Sequence, residues 1–132
     1  ELLRLYNYLY QKTDKNYSIV YDLGGYDELS LTNSAKIASN QSEWVFSPED
    51  LDFQTVAADS IFGGNNVQQS TQIFKSIISG KGTEAQNNVV CANAGLAIAT
   101  AKKISHKAGC ELAKESLKQG KAQACLTKLI AL

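Results

Sequence analysis

Methionine is missing from this chain altogether, including its first position, which is Glu1. A translated protein normally begins with one, so the sequence is expected to be a fragment or a processed product. Histidine occurs once, as His106, and no serine or cysteine stands in a nucleophilic pattern with it, which argues against a catalytic triad. Neither a P-loop nor a Gly-x-Gly-x-x-Gly turn is present, so those two phosphate-cradling motifs are excluded. Cysteines are few, and Cys91, Cys110 and Cys125 lie too far apart for any metal-ligand spacing. Each falls in a stretch with a helical pattern, and buried, reduced thiols are expected, as in a cytoplasmic protein. No signal peptide, internal repeat or low-complexity segment is visible in these residues. The longest nearly apolar run, Val89 to Ala101, is interrupted by Asn93 and is too short to span a bilayer.

Net charge is also lacking: 13 Lys and Arg balance 13 Asp and Glu. This speaks against a nucleic-acid binder that relies on overall positive charge. The zero conceals a division. Residues 1–66 carry four Lys or Arg against ten Asp or Glu, and residues 67–132 carry nine Lys against three Glu, so the halves are −6 and +6. Two readings stand: lysines covering the solvent face of helices, or an acidic rim for metal ions and a basic surface that meets another part of a larger protein. At 132 residues, 44% apolar and 20% charged, the chain has the length and composition of one soluble globular domain.

What is there is concentrated between Ser18 and Thr32. An apolar strand, Ile19-Val20-Tyr21, runs into the Gly24-Gly25 turn, two adjacent carboxylates follow at Asp27 and Glu28, and Leu29-Ser30-Leu31 has the alternation of a second strand. A neighbouring Asp and Glu at the rim of a sheet suit a hard cation such as Mg²⁺, which takes one or two carboxylates plus waters and substrate phosphates. Successive side chains of a regular strand point to opposite faces, so the pair chelates jointly only if the backbone bends between them. Solvated turn residues are the simpler reading of the same pair.

Around this stretch the chain reads as α/β. Leu2, Leu5, Tyr6, Leu9 and Tyr10 have the spacing of an amphipathic helix over residues 1–12. Ala35–Ala38 and Glu43–Phe46 flank Asn40-Gln41 as a β-hairpin, with Trp44 and Phe46 expected in a small satellite cluster. Ser47-Pro48-Glu49-Asp50 starts a short helix or turn, and residues 52–62 form a connection. Helices are predicted over Val67–Ser79, burying Val67, Ile73, Phe74 and Ile77; from the capping box Thr83-Glu84-Ala85-Gln86 to about Lys103; from Ser105 to Gly120; and from Lys121 to Ile130. Asn93 is expected to be a satisfied buried amide. The organisation predicted is one α/β piece over 1–132, with a helix and strands over 1–62 and a helical segment over 63–132.

Gly25-Tyr26-Asp27-Glu28-Leu29-Ser30-Leu31-Thr32, Ser47-Pro48-Glu49-Asp50, Gly63-Gly64-Asn65-Asn66, and Gly80-Lys81-Gly82 followed by Asn93-Ala94 together resemble the C-terminal part of the anthranilate phosphoribosyltransferases of tryptophan biosynthesis. The resemblance spans essentially the whole chain, and the Asp-Glu element is its most specific part. It implies the nucleoside phosphorylase/phosphoribosyltransferase-type α/β domain, with a short mixed sheet and several helices. It also implies transfer of phosphoribosyl from phosphoribosyl pyrophosphate to anthranilate with release of pyrophosphate, and Mg²⁺ held at Asp27 and Glu28 beside that leaving group. The family's Gly-Thr-Gly-Gly-Asp pyrophosphate loop has no counterpart here. Its helical N-terminal domain, with anthranilate contacts and the usual dimer contact, lies upstream of Glu1. The position before the Gly turn, often His in the family, reads Tyr21-Asp22-Leu23. The resemblance therefore implies a piece that is inactive alone and needs the missing half of the protein as partner, the parent being a cytoplasmic homodimer. The alternatives are a nucleic-acid-binding relative of the same fold, a pyrimidine nucleoside phosphorylase and a non-catalytic interaction module.

Overall fold

The structure, a computed structural model, describes all residues from Glu1 to Leu132. It is α/β, as expected, with a sheet of three strands and five α-helices. Helix α1 (Leu2–Tyr10) precedes β1 (Ser18–Asp22), β2 (Ala35–Ser39) and β3 (Glu43–Phe46). Pro48–Leu51 and Ala58–Ile61 are single 3-10 turns, and α2 (Val67–Ile78), α3 (Glu84–Lys102), α4 (His106–Lys118) and α5 (Lys121–Ile130) complete the chain. No helix is long and apolar enough to cross a membrane.

The sheet order is β1-β2-β3 and both pairings are antiparallel, with Val20 opposite Ile37 and Ile37 opposite Trp44. Within this chain the sheet is therefore not mixed, because no helical crossover joins neighbouring strands. The hairpin at Asn40-Gln41 forms where expected. Leu29-Ser30-Leu31, in contrast, is no strand. Its backbone leaves the extended region at Leu31, which takes a left-handed φ of 59°, and its polar groups bond to side chains and to a loop instead of a ladder.

The core lies between the sheet, this loop and the paired helices α3 and α4. Leu29, Leu31, Ile37, Phe46, Leu96 and Cys110 are among its members. Phe46 thus belongs to the main core, with half-buried Trp44 against it, and there is no separate satellite cluster around the two. Small residues let α3 and α4 approach closely, since a Cβ on Gly95 would fall 2.6 Å from the Cα of Cys110.

The helix ends follow the capping signals. Thr83 accepts from the Gln86 amide at 3.3 Å while the Gln86 side chain accepts from the Thr83 amide at 3.0 Å. Ser105 accepts from Ala108 at 3.2 Å. Burial departs from expectation on α2, where Val67 is 83% and Phe74 50% exposed, because little of the chain packs over that helix. Cys91 and Cys110 are buried as expected, but Cys125 is exposed, lying on the outer side of the lightly packed α5. Of the nine lysines after residue 66 all but half-buried Lys114 are exposed.

Candidate functional site

Strand β1 ends on a carboxylate that never reaches solvent. Asp22 is buried, and its side chain turns back over the chain that follows. Oδ1 accepts from the Gly24 amide at 2.7 Å, and Oδ2 accepts from the Ser30 amide at 3.0 Å and the Ser30 hydroxyl at 2.7 Å. The first of these bonds is the local Asx-turn geometry that a short acidic side chain favours. It also brings the backbone close: a Cβ on Gly24 would sit 3.0 Å from Oδ1 of Asp22, and Gly25 has φ of 89°, a conformation that other residues resist.

The far side of the turn is tied to α3. Asn93 accepts from the Leu29 amide at 3.0 Å, and its Nδ2 donates to the carbonyl of Leu29 at 2.8 Å and to that of Val89 at 2.9 Å. Asn93 is therefore satisfied, as expected from the sequence, but it is half-buried and not buried. Leu29 and Leu31 anchor the segment in the core, and the Val56 amide donates to the Leu31 carbonyl at 3.0 Å.

Between these anchors Asp27 and Glu28 are both exposed. They lie in a bend, so the backbone meets the condition under which neighbouring carboxylates act together. Neither is consumed by an ion pair, the two pairs in the molecule being Lys107–Asp52 at 2.6 Å and Lys114–Glu111 at 2.8 Å. No group of three or more His, Cys, Asp and Glu is assembled anywhere in the chain. Asp27 and Glu28 would thus offer two hard oxygen ligands, both open to the outside. That fits Mg²⁺, which keeps waters and takes substrate phosphates in its remaining positions, and does not fit a metal enclosed by protein.

The other reactive side chains lie elsewhere. Burial and the positive end of α4 disfavour charge on His106, and burial holds its pKa below the usual histidine value, against smaller opposing effects of the Ala92 carbonyl and Asp50. A carbonyl only accepts, so Nε2–H donates to Ala92 at 2.8 Å, and the ring packs on Phe46 at 5.2 Å. Its cleft, lined by Ser18, Ser39, Trp44, Thr100 and Lys103, is at the Ser18 end of β1, opposite the Asp22 end. Burial also pushes the Cys91 thiol up and the Cys110 thiol to about 11, so neither is a nucleophile near neutrality. Sequence reasoning overlooked Asp22. The signal was present, an Asp two residues before a glycine.

The chain matches the family described as "Glycosyl transferase family, a/b domain" over residues 1–123. The anthranilate phosphoribosyltransferase of Flavobacterium psychrophilum is 53% identical to it over 98% of this chain and 39% of the relative. That of Flavobacterium johnsoniae is 52% identical over the same shares. Among solved structures, anthranilate phosphoribosyltransferase from Thermus thermophilus superposes with a TM-score of 0.77 at 23% identity, over 86% of this chain and 34% of its own. The Saccharomyces cerevisiae enzyme in complex with PRPP and Mg superposes with a TM-score of 0.73 at 16% identity, over 83% of this chain and 32% of its own. At these identities the two superpositions speak for the fold. The chain spans about 39% of the length of these two curated relatives. On the match over residues 1–123, the chain belongs to the glycosyl transferase family, through that family's α/β domain.

Proposed function

We propose that this chain is the C-terminal part of the α/β domain of an Mg²⁺-dependent phosphoribosyltransferase that transfers phosphoribosyl from phosphoribosyl pyrophosphate to anthranilate and releases pyrophosphate. The observation that carries the proposal is 53% identity to an anthranilate phosphoribosyltransferase over 98% of the chain. Asp27 and Glu28 are its Mg²⁺ ligands. In support, both are exposed, lie in a bend and are free of cationic partners. Bound there, the ion offsets the charge that develops on the departing pyrophosphate. The chain itself contributes an adjacent pair of exposed carboxylates, on a turn whose flanking backbone is bonded to Asp22 of β1 and Asn93 of α3.

Substrate orientation supplies much of the rate of a two-substrate transfer. The pyrophosphate loop and anthranilate contacts implied by the resemblance belong to the part upstream, so the isolated piece is inactive and its first partner is the rest of its own protein. The parent is a cytoplasmic homodimer, with the dimer contact outside this chain.

The test begins with the reading frame of the source gene, which is expected to supply an upstream segment with a Gly-Thr-Gly-Gly-Asp loop. The full-length protein is then assayed for anthranilate-dependent release of pyrophosphate against Mg²⁺ concentration. Asp27→Asn and Glu28→Gln are expected to reduce transfer about 100-fold at limiting Mg²⁺, with partial recovery as Mg²⁺ is raised. A reading frame that encodes only these residues, or variants with unchanged Mg²⁺ dependence, would overturn the proposal.

A further inference from the structure

The turn bearing Asp27 and Glu28 is held by two side chains that lie outside it. On one flank is Asp22, 1% exposed, with both oxygens committed to Gly24 and Ser30. On the other is Asn93, 64 residues beyond Leu29, which uses the oxygen and nitrogen of one amide on the amide and carbonyl of Leu29. Ser30 continues the network to Thr32, the hydroxyls lying 2.9 Å apart.

A turn that merely reverses the chain does not need this. An exposed Asp, Asn or Ser suffices, whereas a buried carboxylate is tolerated only when its hydrogen bonds are complete. Asp22 has no cationic partner, so backbone and hydroxyl donors alone satisfy it. Asn93 holds the residue immediately after the acidic pair, and Asp22 holds Gly24 before it and Ser30 beyond it, so the two anchors fix both ends of the segment that carries the acids. Mg²⁺ demands near-ideal octahedral geometry, and ligands already fixed in place lose less freedom on binding.

We infer that Asp22 and Asn93 are positioning residues for the metal pair, setting the Mg²⁺ affinity of Asp27 and Glu28 through the backbone of the turn without touching the ion. The inference rests on the reading of Asp27 and Glu28 as the Mg²⁺ ligands.

The experiment uses the full-length protein with Asp22→Asn and Asn93→Asp. In Asp22→Asn an amide nitrogen faces the Ser30 amide; in Asn93→Asp an oxygen faces the Leu29 and Val89 carbonyls. Amide exchange at Gly24, Leu29 and Ser30 is measured without metal, and the Mg²⁺ midpoint and kcat at saturating substrates are measured alongside. Exchange at those amides is expected to quicken, the Mg²⁺ midpoint to rise about tenfold or more, and kcat at saturating Mg²⁺ to stay within about twofold. Loosened amides with an unmoved midpoint, or a kcat loss that Mg²⁺ does not relieve, would overturn the inference. Should Asp22→Asn fail to fold, Asn93→Ser, which cannot span both Leu29 groups, makes the same test. Asp27→Asn and Glu28→Gln separate the two levels. If they leave the Mg²⁺ dependence unchanged, the ligand reading fails and the inference with it; if they shift it while the Asp22 and Asn93 variants do not, the inference alone fails.

Discussion

His106 is a titratable ring folded into an interior that prefers it neutral. Burial is the largest cause of its lowered pKa. Between that lowered value and the ordinary one near 6.5, the unfolded chain binds a proton that the folded chain does not. Stability therefore rises with pH across this interval and falls on acidification through it, levelling once the folded ring is protonated as well. The expected result is a urea midpoint that declines from about pH 7.5 towards pH 5. His106→Gln, whose amide can still donate to the Ala92 carbonyl, should flatten that decline. Carboxylates begin to titrate at the acid end in both proteins, so the difference between them isolates the ring. Equal slopes would show that the folded structure accepts a charged His106.

Pairs of elements place stronger constraints than single groups, and the tightest is the crossing of α3 and α4. A Cβ on Gly95 meets backbone atoms of Cys110 at 2.6 Å, and these cannot rotate away as a side-chain tip would. Alanine gains about 1 kcal/mol over glycine in a helix interior, but overpacking costs about 1–3 kcal/mol and more when backbone must move. The clash wins, and Gly95→Ala is expected to lose at least about 2 kcal/mol in urea denaturation. A variant as stable as the parent would mean that the two helices separate freely.

The same level shows what the residues alone could reveal. Thr83-x-x-Gln86, Ser105 and the glycines at 80 and 120 are local signals, and the helices begin and end by them within a residue or so. Asn40-Gln41 likewise marks its hairpin. Leu29-Ser30-Leu31-Thr32 misleads because alternation reports side-chain polarity, not what the backbone bonds to, and Ser30 is in fact buried like the leucines on either side. Here the partners are Asp22 and Asn93, one of them 64 residues away. The candidate site was legible to the same extent. Asp27 and Glu28 stand out as adjacent acids beside glycines, and Asp22 two residues before Gly24 is a local turn signal, whereas Asn93 reaches the turn only through a tertiary contact. The apolar stripe of α2 shows a further limit, since amphipathic spacing predicts a face that seeks cover but not whether the chain supplies it.

At the scale of the whole molecule, cover is what this chain lacks. Only 21 of 132 residues are buried and the accessible surface is 8724 Å². A compact monomer of 14.3 kDa exposes about 6,800 Å², leaving an excess of about 1,900 Å². That is more than twice the roughly 800 Å² that each partner contributes to a standard interface. Much of the exposed area is apolar and sits on peripheral helices: Leu2, Leu5 and Leu9 on α1, Val67 and Phe74 on α2, Leu129 and Ile130 on α5. Beside α1, β1 pairs only with β2, and its open edge carries neither lysine nor proline to deter another strand. The isolated chain is therefore expected to self-associate. Light scattering coupled to gel filtration at about 50 µM should give a mass well above the monomer's 14.3 kDa. Leu5→Lys combined with Leu9→Lys, both on exposed positions of α1, should lower that mass without loss of helical signal. If the proposed upstream half covers this face, the same two lysines should instead destabilise the full-length protein. A stable monomer of the isolated chain at that concentration would mean that water tolerates these faces, and the case for a covering half of the protein would have to rest on sequence identity alone.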